Sequence, residues 1–489
     1  MKIYFQISCL IFLAGLNFIG LQANSSDRQD PISIKSNREL FIDHFLIDQM
    51  NGTRLVMHSP IDEGPVLDFN KPWEGPFCGY STIIKDEDTY RLYYRGLPKA
   101  GKDGSTNETT CYAESKDGIT WTKPNLGIFE IMDTHNNNVI LANDAPFSHN
   151  FSPFLDTNPM ATSDEKFKAL AGTKKTGLFG YRSEDGIHWK KIQNSPVFTE
   201  GLFDSQNVAF WSASENLYLC YFRTWSGEGF KGKRTVSRTT SPDFIQWSKP
   251  EKMDFGDTPM EHLYTNQTHA YFRAPQIYVA IAARFMPNRQ VLSEEDALAL
   301  KVNPKYFKDC SDVVLITSRG GNSYDRTFME SFIRPGIGLQ NWVSRSNYPA
   351  LNTVQTGPTE MSIYVNQDYA QPTAHLRRYS LRLDGFASVR AGYSGGEMIT
   401  KTFTFEGDKL NINFSTSAAG EIKIEIQDEN GEVIPGFGIE NCEAIIGNEI
   451  NKNVSWENDK DLSFVNGKAI RLRIVMKDAD LFSFKFEPK

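Results

Sequence analysis

Ser115-Lys116-Asp117-Gly118-Ile119-Thr120-Trp121 returns as Ser183-Glu184-Asp185-Gly186-Ile187-His188-Trp189, and again as Ser241-Pro242-Asp243-Phe244-Ile245-Gln246-Trp247. A weaker fourth copy is Ser318-Arg319-Gly320-Gly321-Asn322-Ser323-Tyr324, and a degenerate fifth, Arg382-Leu383-Asp384-Gly385-Phe386, has arginine in the serine's place. Successive copies begin 68, 58, 77 and 64 residues apart. Self-similarity at this scale marks a repeat architecture. Ahead of the first four copies lie alternating, mostly aromatic segments: Tyr90 to Arg95, Phe167 to Ala171, Leu217 to Arg223 and Gln276 to Ala280. Large side chains at period two between polar turns predict half-buried strands. One such unit cannot bury both of its faces, so several must stack radially. Four units and a closing one between about Thr356 and Phe386 predict an all-β fold built on a five-bladed β-propeller. The motif itself reads as blade architecture: Asp-Gly makes a tight turn, and the Trp packs between sheets.

Beyond Phe386 the pattern changes. Phe403, Phe405, Leu410, Ile412 and Phe414 alternate, Ile422, Ile424 and Ile426 run into Asn430-Gly431, and Ile470, Leu472 and Ile474 lead to Phe482, Phe484 and Phe486. Long alternating strands with a hairpin turn and no further Trp repeat predict a C-terminal β-sandwich. At the other end Lys2 precedes an apolar run from Ile3 to Ile19, with Gly20 and Ala23 before a polar stretch, which reads as a secretory signal peptide. The expected organisation is therefore a signal peptide over 1–23, a propeller over 24–386 and a sandwich over 387–489, in a secreted or periplasmic protein without membrane insertion. One helix is expected after Leu292, where Ser293 and Asp296 form a capping box ahead of Ala297 to Lys301.

A formal charge of −8 gives no electrostatic reason to bind nucleic acid, because phosphate affinity comes from clustered Lys and Arg. Past Cys9, five cysteines remain, at 78, 111, 220, 310 and 442. None are spaced as C-x-x-C, so mostly free, buried thiols are expected, with no metal site and no cofactor.

Inner propeller strands converge on a channel, where residues distant in sequence can meet. The innermost strand of each unit should precede the aromatic one. That selects Trp73 to Tyr80, His149 to Ser152 with Asp156 to Pro159, Phe203 to Asn207, Glu261 to Asn266, and Gly357 to Ser362. Asp204, Glu261 and Glu360 stand out as candidate catalytic groups, because glycosidic-bond cleavage needs one carboxyl to protonate the leaving oxygen and another to attack or activate water. Trp73, Tyr80, Tyr264 and Trp211 are candidates to stack on sugar rings, while His149, Asn207, His262, Arg273 and Arg326 would fix hydroxyl or acidic groups. Glu74 and Asp156 complete the candidate set for carbohydrate binding. Each has a blander reading: Asp156 as an Asx turn, Glu74 as a rim residue, the two histidines as hydrogen-bonding pillars, and Arg326 as an ion-pair partner of Asp325 or Glu330.

Five aromatic blades with these turns and a C-terminal sandwich resemble the invertase-like and arabinanase-like glycoside hydrolases, families 32, 43 and 68. Pro72-Trp73-Glu74-Gly75, Phe203 to Asn207 and Glu261 to Thr265 resemble, more closely, secreted bacterial glycosyl-hydrolase-like proteins of unassigned activity. The resemblance implies the fold and a carbohydrate substrate. Those families carry an Asp on the first inner strand and an Asp in an Arg-Asp-Pro setting on the second. Here the first inner strand reads Phe77-Cys78-Gly79-Tyr80-Ser81, and no Arg-Asp-Pro triplet occurs, so their catalytic set does not carry over.

The expected function is hydrolysis of a glycosidic bond in a plant or algal polysaccharide or derived oligosaccharide, with Asp204 as base or nucleophile, Glu261 as acid and Glu360 tuning them. The alternatives are a non-catalytic glycan-binding propeller, and a lyase or metal-assisted enzyme on the same scaffold.

Overall fold

The structure, a computed structural model, describes residues 30–101, 104–457 and 460–488. The expected signal peptide lies outside them. Five antiparallel sheets follow one another around an axis, each running from an inner strand outward. Blade one is Gly79–Asp86, Thr89–Gly96, Thr109–Ser115 and Val139–Leu141. Blade two is Ser152–Leu155, Phe167–Thr173, Gly177–Ser183 and Lys190–Lys191. Blade three is Val208–Ser212, Leu217–Trp225, Arg234–Ser241 and Glu251–Lys252. Blade four has a broken inner strand, Leu263–Thr265 and Thr268–Tyr271, then Ala274–Met286 and Cys310–Ser318. Blade five also has a broken inner strand, Tyr348–Pro349 and Val354–Gln355, followed by Glu360–Gln367 and His375–Arg382. Its outermost strand comes from far upstream, Ile61–Asp68, which pairs with His375–Arg382.

The repeat motif is the joint between neighbouring blades. Ser115 Oγ accepts from Gly118 N at 2.9 Å, and Asp117 Oδ1 accepts from Ile119 N at 2.8 Å and Thr120 N at 2.7 Å. Asp185 and Asp243 make the same bonds in their copies. Gly118 turns at φ +74°, and a β-carbon there would stand 2.8 Å from Thr356 Cγ2 and from the Tyr364 hydroxyl of blade five. That hydroxyl donates to Gly118 O at 2.6 Å, and Trp121 meets the Tyr364 ring edge-on. Blade two repeats the joint against blade one, where Trp189 packs on Tyr93 and Arg91 donates to Asp185 O. In the fourth copy Tyr324 stacks on Tyr221 of blade three, and in the fifth Asp384 accepts from Tyr271 of blade four at 2.8 Å. The hydrophobic cores accordingly lie between adjacent blades, with Tyr93, Tyr112, Tyr218, Tyr221, Tyr278 and Tyr364 all within 1% of full burial.

The C-terminal strands form ten-stranded pairing held by two long partners, Lys409–Asp428 and Ile470–Glu487. Their register breaks between Thr416 and Glu421, opposite Asp478 at φ +42°. A β-carbon on Gly420 would meet Asp478 O at 2.4 Å, so the bend needs glycine there. Both strands bend together and serve both layers of a sandwich around buried Ile412, Phe414, Trp456, Leu472 and Phe484. One organisation differs from the sequence reading, which assigns all of 24–386 to the propeller. Ile32–Lys35, Glu39–Leu40, Ile47–Asn51 and Thr53–Met57 pair with the C-terminal strands. These short, partly polar segments carry no repeat, so periodicity has nothing to place them by. The helix forms as Glu294–Ala299 with both capping-box bonds, inside the long connection between Met286 and Cys310 of blade four. All five described cysteines are free and buried, and no described helix is long and apolar enough to cross a membrane.

Candidate functional site

The channel is stoppered part-way by amides. Gln206 Nε2 crosses to Thr82 Oγ1 at 3.0 Å, and Gln267 Nε2 donates to Gln206 Oε1 at 2.8 Å and Pro349 O at 2.7 Å. On the far side of this stopper a cavity of about 660 Å³ is lined by residues on or next to the inner strands of all five blades, among them Ile83, Phe154, Phe210, Phe272 and Leu351. On the near side the inner strands begin and the second strands end, and their side chains make a different surface.

The near mouth is narrow, a pocket of about 20 Å³ lined by Tyr80, Arg95, His149, Tyr264, Arg345, Tyr348, Asn366 and Tyr369. Each residue is delivered by a strand terminus or the connection next to one. Arg95 lies near the end of the second strand of blade one, opposite Gly79, donates to Phe77 O at 3.0 Å and lies 4.7 Å over the Tyr80 ring. His149 is 2% exposed, and its Nδ1 meets Glu108 Oε2 at 2.8 Å. Glu108 is pulled upward by burial, but the hydrogen bond and charge of His149 outweigh this and hold it below the usual carboxylate range. Tyr80 and Arg345 sit in the left-handed backbone region, at φ +50° and +62°. Non-glycine residues are uncommon there, although turns elsewhere in this chain use the same region.

Tyr264 is the centre of the mouth. Arg223 lies 4.3 Å, Arg234 5.1 Å and Arg345 5.4 Å from its ring centroid. Burial alone would raise its phenol, yet Arg345, Arg223 and Arg234 together hold it below the ordinary tyrosine value. A phenol whose acidity is raised by neighbouring guanidiniums ionises more readily, which is what a tyrosine nucleophile or base needs. Asp204 stands beside the mouth with its carboxylate committed to Arg223, at 2.5 Å to Nη2 and 3.1 Å to Nε.

The expected carboxylate trio does not assemble. Glu360 begins the second strand of blade five, not its inner strand, and sits at the end where the repeat turns lie, opposite Arg382 and bonded to Thr356 and Arg378. The sequence reading places Gly357 to Ser362 one strand too far inward, because the true inner strand is only two short pieces, Tyr348–Pro349 and Val354–Gln355. Glu261 lines a separate cavity with His262, and its two oxygens take Arg284 and Arg326, each at 2.7 Å. His262 Nδ1 accepts from Arg234 N at 3.2 Å.

Several other candidates are structural. Trp73 donates to Asn138 Oδ1 at 2.8 Å, and Glu74, 0% exposed, binds Tyr94 at 2.6 Å and Lys123 at 2.7 Å. Asp156 is held by Lys168 at 2.7 Å and Tyr218 at 2.8 Å. Asn207 is buried and donates to Ser205 O. Arg273 pairs with Asp384 at 3.3 Å, and Arg326 is fixed by Glu261, Leu315 O and Phe328 O. Trp211 lines the far cavity. Of the candidates, Tyr80, His149 and Tyr264 are the three that the structure brings together at one mouth. Sequence reasoning misses Arg95, Arg223, Arg345, Tyr348 and Tyr369. The one signal in the chain is the arginine recurring at or near the end of the second strand: Arg95, Arg223 and Arg284. Among the described residues no group of three or more His, Cys, Asp or Glu is arranged to hold a metal ion.

No family model matches the chain, and no curated protein matches it. Among solved structures it is similar to a glycoside hydrolase at 8% identity and TM-score 0.45, covering 66% of this chain and 92% of that one. It is also similar to an N-acetylgalactosamine deacetylase from F. plautii in complex with blood group B trisaccharide, at 12% identity and TM-score 0.44, covering 68% and 96%. A third is the family 32 β-fructofuranosidase of Bombyx mori, at 12% identity and TM-score 0.41, covering 86% and 94%. These include members of the enzyme group that the sequence resembles, and similarity at this level assigns no residue and no reaction.

Proposed function

We propose that this is an exported carbohydrate-active enzyme that binds a glycan at the near mouth of the propeller axis and hydrolyses a glycosidic bond there. The observation that carries the reading is Tyr264, a phenol surrounded by Arg223, Arg234 and Arg345 among the aromatic walls of Tyr80, Tyr348 and Tyr369. Aromatic faces suit sugar rings, and the arginines stabilise charge on the phenolate oxygen. In this scheme the Tyr264 phenolate attacks the anomeric carbon as the glycosidic C–O bond breaks. His149, oriented by Glu108, passes a proton to the leaving oxygen. Water then releases the sugar from tyrosine, returning a proton to the imidazole. Tyrosine nucleophiles are an established departure from the two-carboxylate scheme.

A second reading, a glycan-binding propeller without turnover, is favoured by one observation: among the described residues the carboxylates beside the mouth, Asp204 and Glu108, are both engaged, by Arg223 and His149. Product release from a panel of plant and algal polysaccharides and oligosaccharides separates the two. Hydrolysis predicts reducing-end release that Tyr264→Phe lowers at least about 100-fold while Glu360→Gln leaves it unchanged. Binding without release in every sample would sink the hydrolase reading and leave the binding one. Loss of release in Glu360→Gln with its fold intact would return the chemistry to the carboxylates.

A further inference from the structure

Arginines elsewhere in the molecule sit against carboxylates: Arg91 on Asp86, Arg284 on Asp312 and Glu261, Arg319 on Glu39 and Asp43. At the near mouth the balance fails. Arg95, Arg223, Arg234 and Arg345 gather there, and among the described residues the nearby carboxylates are Asp204, taken by Arg223, and Glu108, taken by His149. Arg234 and Arg345 make no ion pair among the described residues. Arg345 is held by rings, 5.0 Å from the Tyr306 centroid, 5.4 Å from Tyr264 and 5.9 Å from Tyr369. Guanidinium groups brought together in a partly dehydrated site repel one another, and an anion relieves that cost.

The hydrogen-bonding inventory points the same way. Arg95 is 7% exposed, with Nε buried and unpartnered, and the Tyr348 hydroxyl is likewise buried without a partner on a residue 6% exposed. The obvious acceptor is used: Asn366 Oδ1 takes Ser81 Oγ at 2.9 Å, while its Nδ2 donates to Tyr348 O. The tyrosine oxygens of the mouth can serve a neutral sugar hydroxyl, but its guanidinium groups only donate. An ionised carboxylate or a sulfate only accepts, through several oxygens that match the planar fork of arginine.

We infer that the sugar unit taken into the near mouth carries an anionic substituent, a carboxylate or a sulfate, received by Arg345 and Arg95 with the Tyr348 hydroxyl. The inference rests on the mouth being the glycan site, and it names the substrate class of that site.

Calorimetric binding to matched pairs tests it: oligogalacturonate against its fully methyl-esterified form, and a sulfated galactan oligosaccharide against its desulfated form. The expected result is that the anionic member of at least one pair binds about 10-fold or more tightly, the worth of one charge-assisted contact. Which pair responds tells carboxylate from sulfate. Arg345→Ala should erase most of that preference, and Tyr348→Phe, which keeps the ring, should reduce it severalfold; a thermal melt of each variant confirms folding. Equal binding of charged and neutral members overturns the anion inference while the glycan-site reading stands. Binding of none of the four, or binding that Arg345→Ala and Tyr348→Phe both leave untouched, overturns the near-mouth reading with it.

Discussion

The two ends of the propeller are built from the same strands and do opposite work. At the far end the blades use their turns in one way. Asp117, Asp185 and Asp243 each collect the backbone N–H groups that follow them, and aromatic residues bolt the turn to the neighbouring blade. Glu360 and Asp156 there have basic partners. At the near end no two blades offer the same set of side chains, and among the described residues arginines outnumber the carboxylates that would balance them. Sameness at one end is what closure of a ring demands. Difference at the other is what a site requires.

That contrast can be broken by substitutions that should change stability alone. The largest effect is expected from Glu261→Ala, which leaves the Arg326 side chain, 2% exposed, without its carboxylate; roughly 3 kcal/mol of stability should be lost, read from urea unfolding. A change under about 1 kcal/mol would mean that Glu261 is no brace and is open to a chemical role. Gly118→Ala comes next. The +74° backbone and the 2.8 Å approach to Thr356 and Tyr364 predict a loss of about 1–3 kcal/mol with glycan affinity unchanged, and altered affinity would show the two ends to be coupled.

The smallest effect concerns pH. Burial is the largest single influence on the Asp117 carboxyl and lifts it, but donation from Thr120, Ile119 and Ser115 together outweighs it and holds the group at about 2. Asp185 and Asp243 are lowered for the same reason, with His188 adding to the effect at Asp185. A carboxyl lowered by folding contributes its stability above the unfolded value, near 4, and loses it as pH falls through the folded value. The unfolding midpoint should therefore fall between about pH 4 and pH 2, and Asp117→Asn should make that fall shallower. An unchanged slope would assign acid sensitivity to other groups.

This division also explains how much is legible in the chain. Five blades can be counted because Ser-x-Asp-Gly-x-x-Trp performs a local job with local bonds, so its pattern survives in the sequence. Tyr264 and His149 are visible as polar or aromatic residues near inner strands. Arg345 is not, since it lies on a connection outside every repeat and reaches the mouth only through a left-handed turn. Glu360 misleads because an inner strand broken between Pro349 and Val354 has too little alternation to be told from a loop. The closing strand Ile61–Asp68 and the strands from Ile32 to Met57 are hidden because their partners are more than 300 residues away.

A crystal structure with a bound oligosaccharide tests the central claim most directly. The account predicts a sugar ring in the near mouth, against Tyr80, Tyr264 and Tyr348 and within reach of Arg345. A sugar seated instead in the far cavity, against Phe210, Trp211 and Phe272, would contradict it and exchange the roles of the two ends.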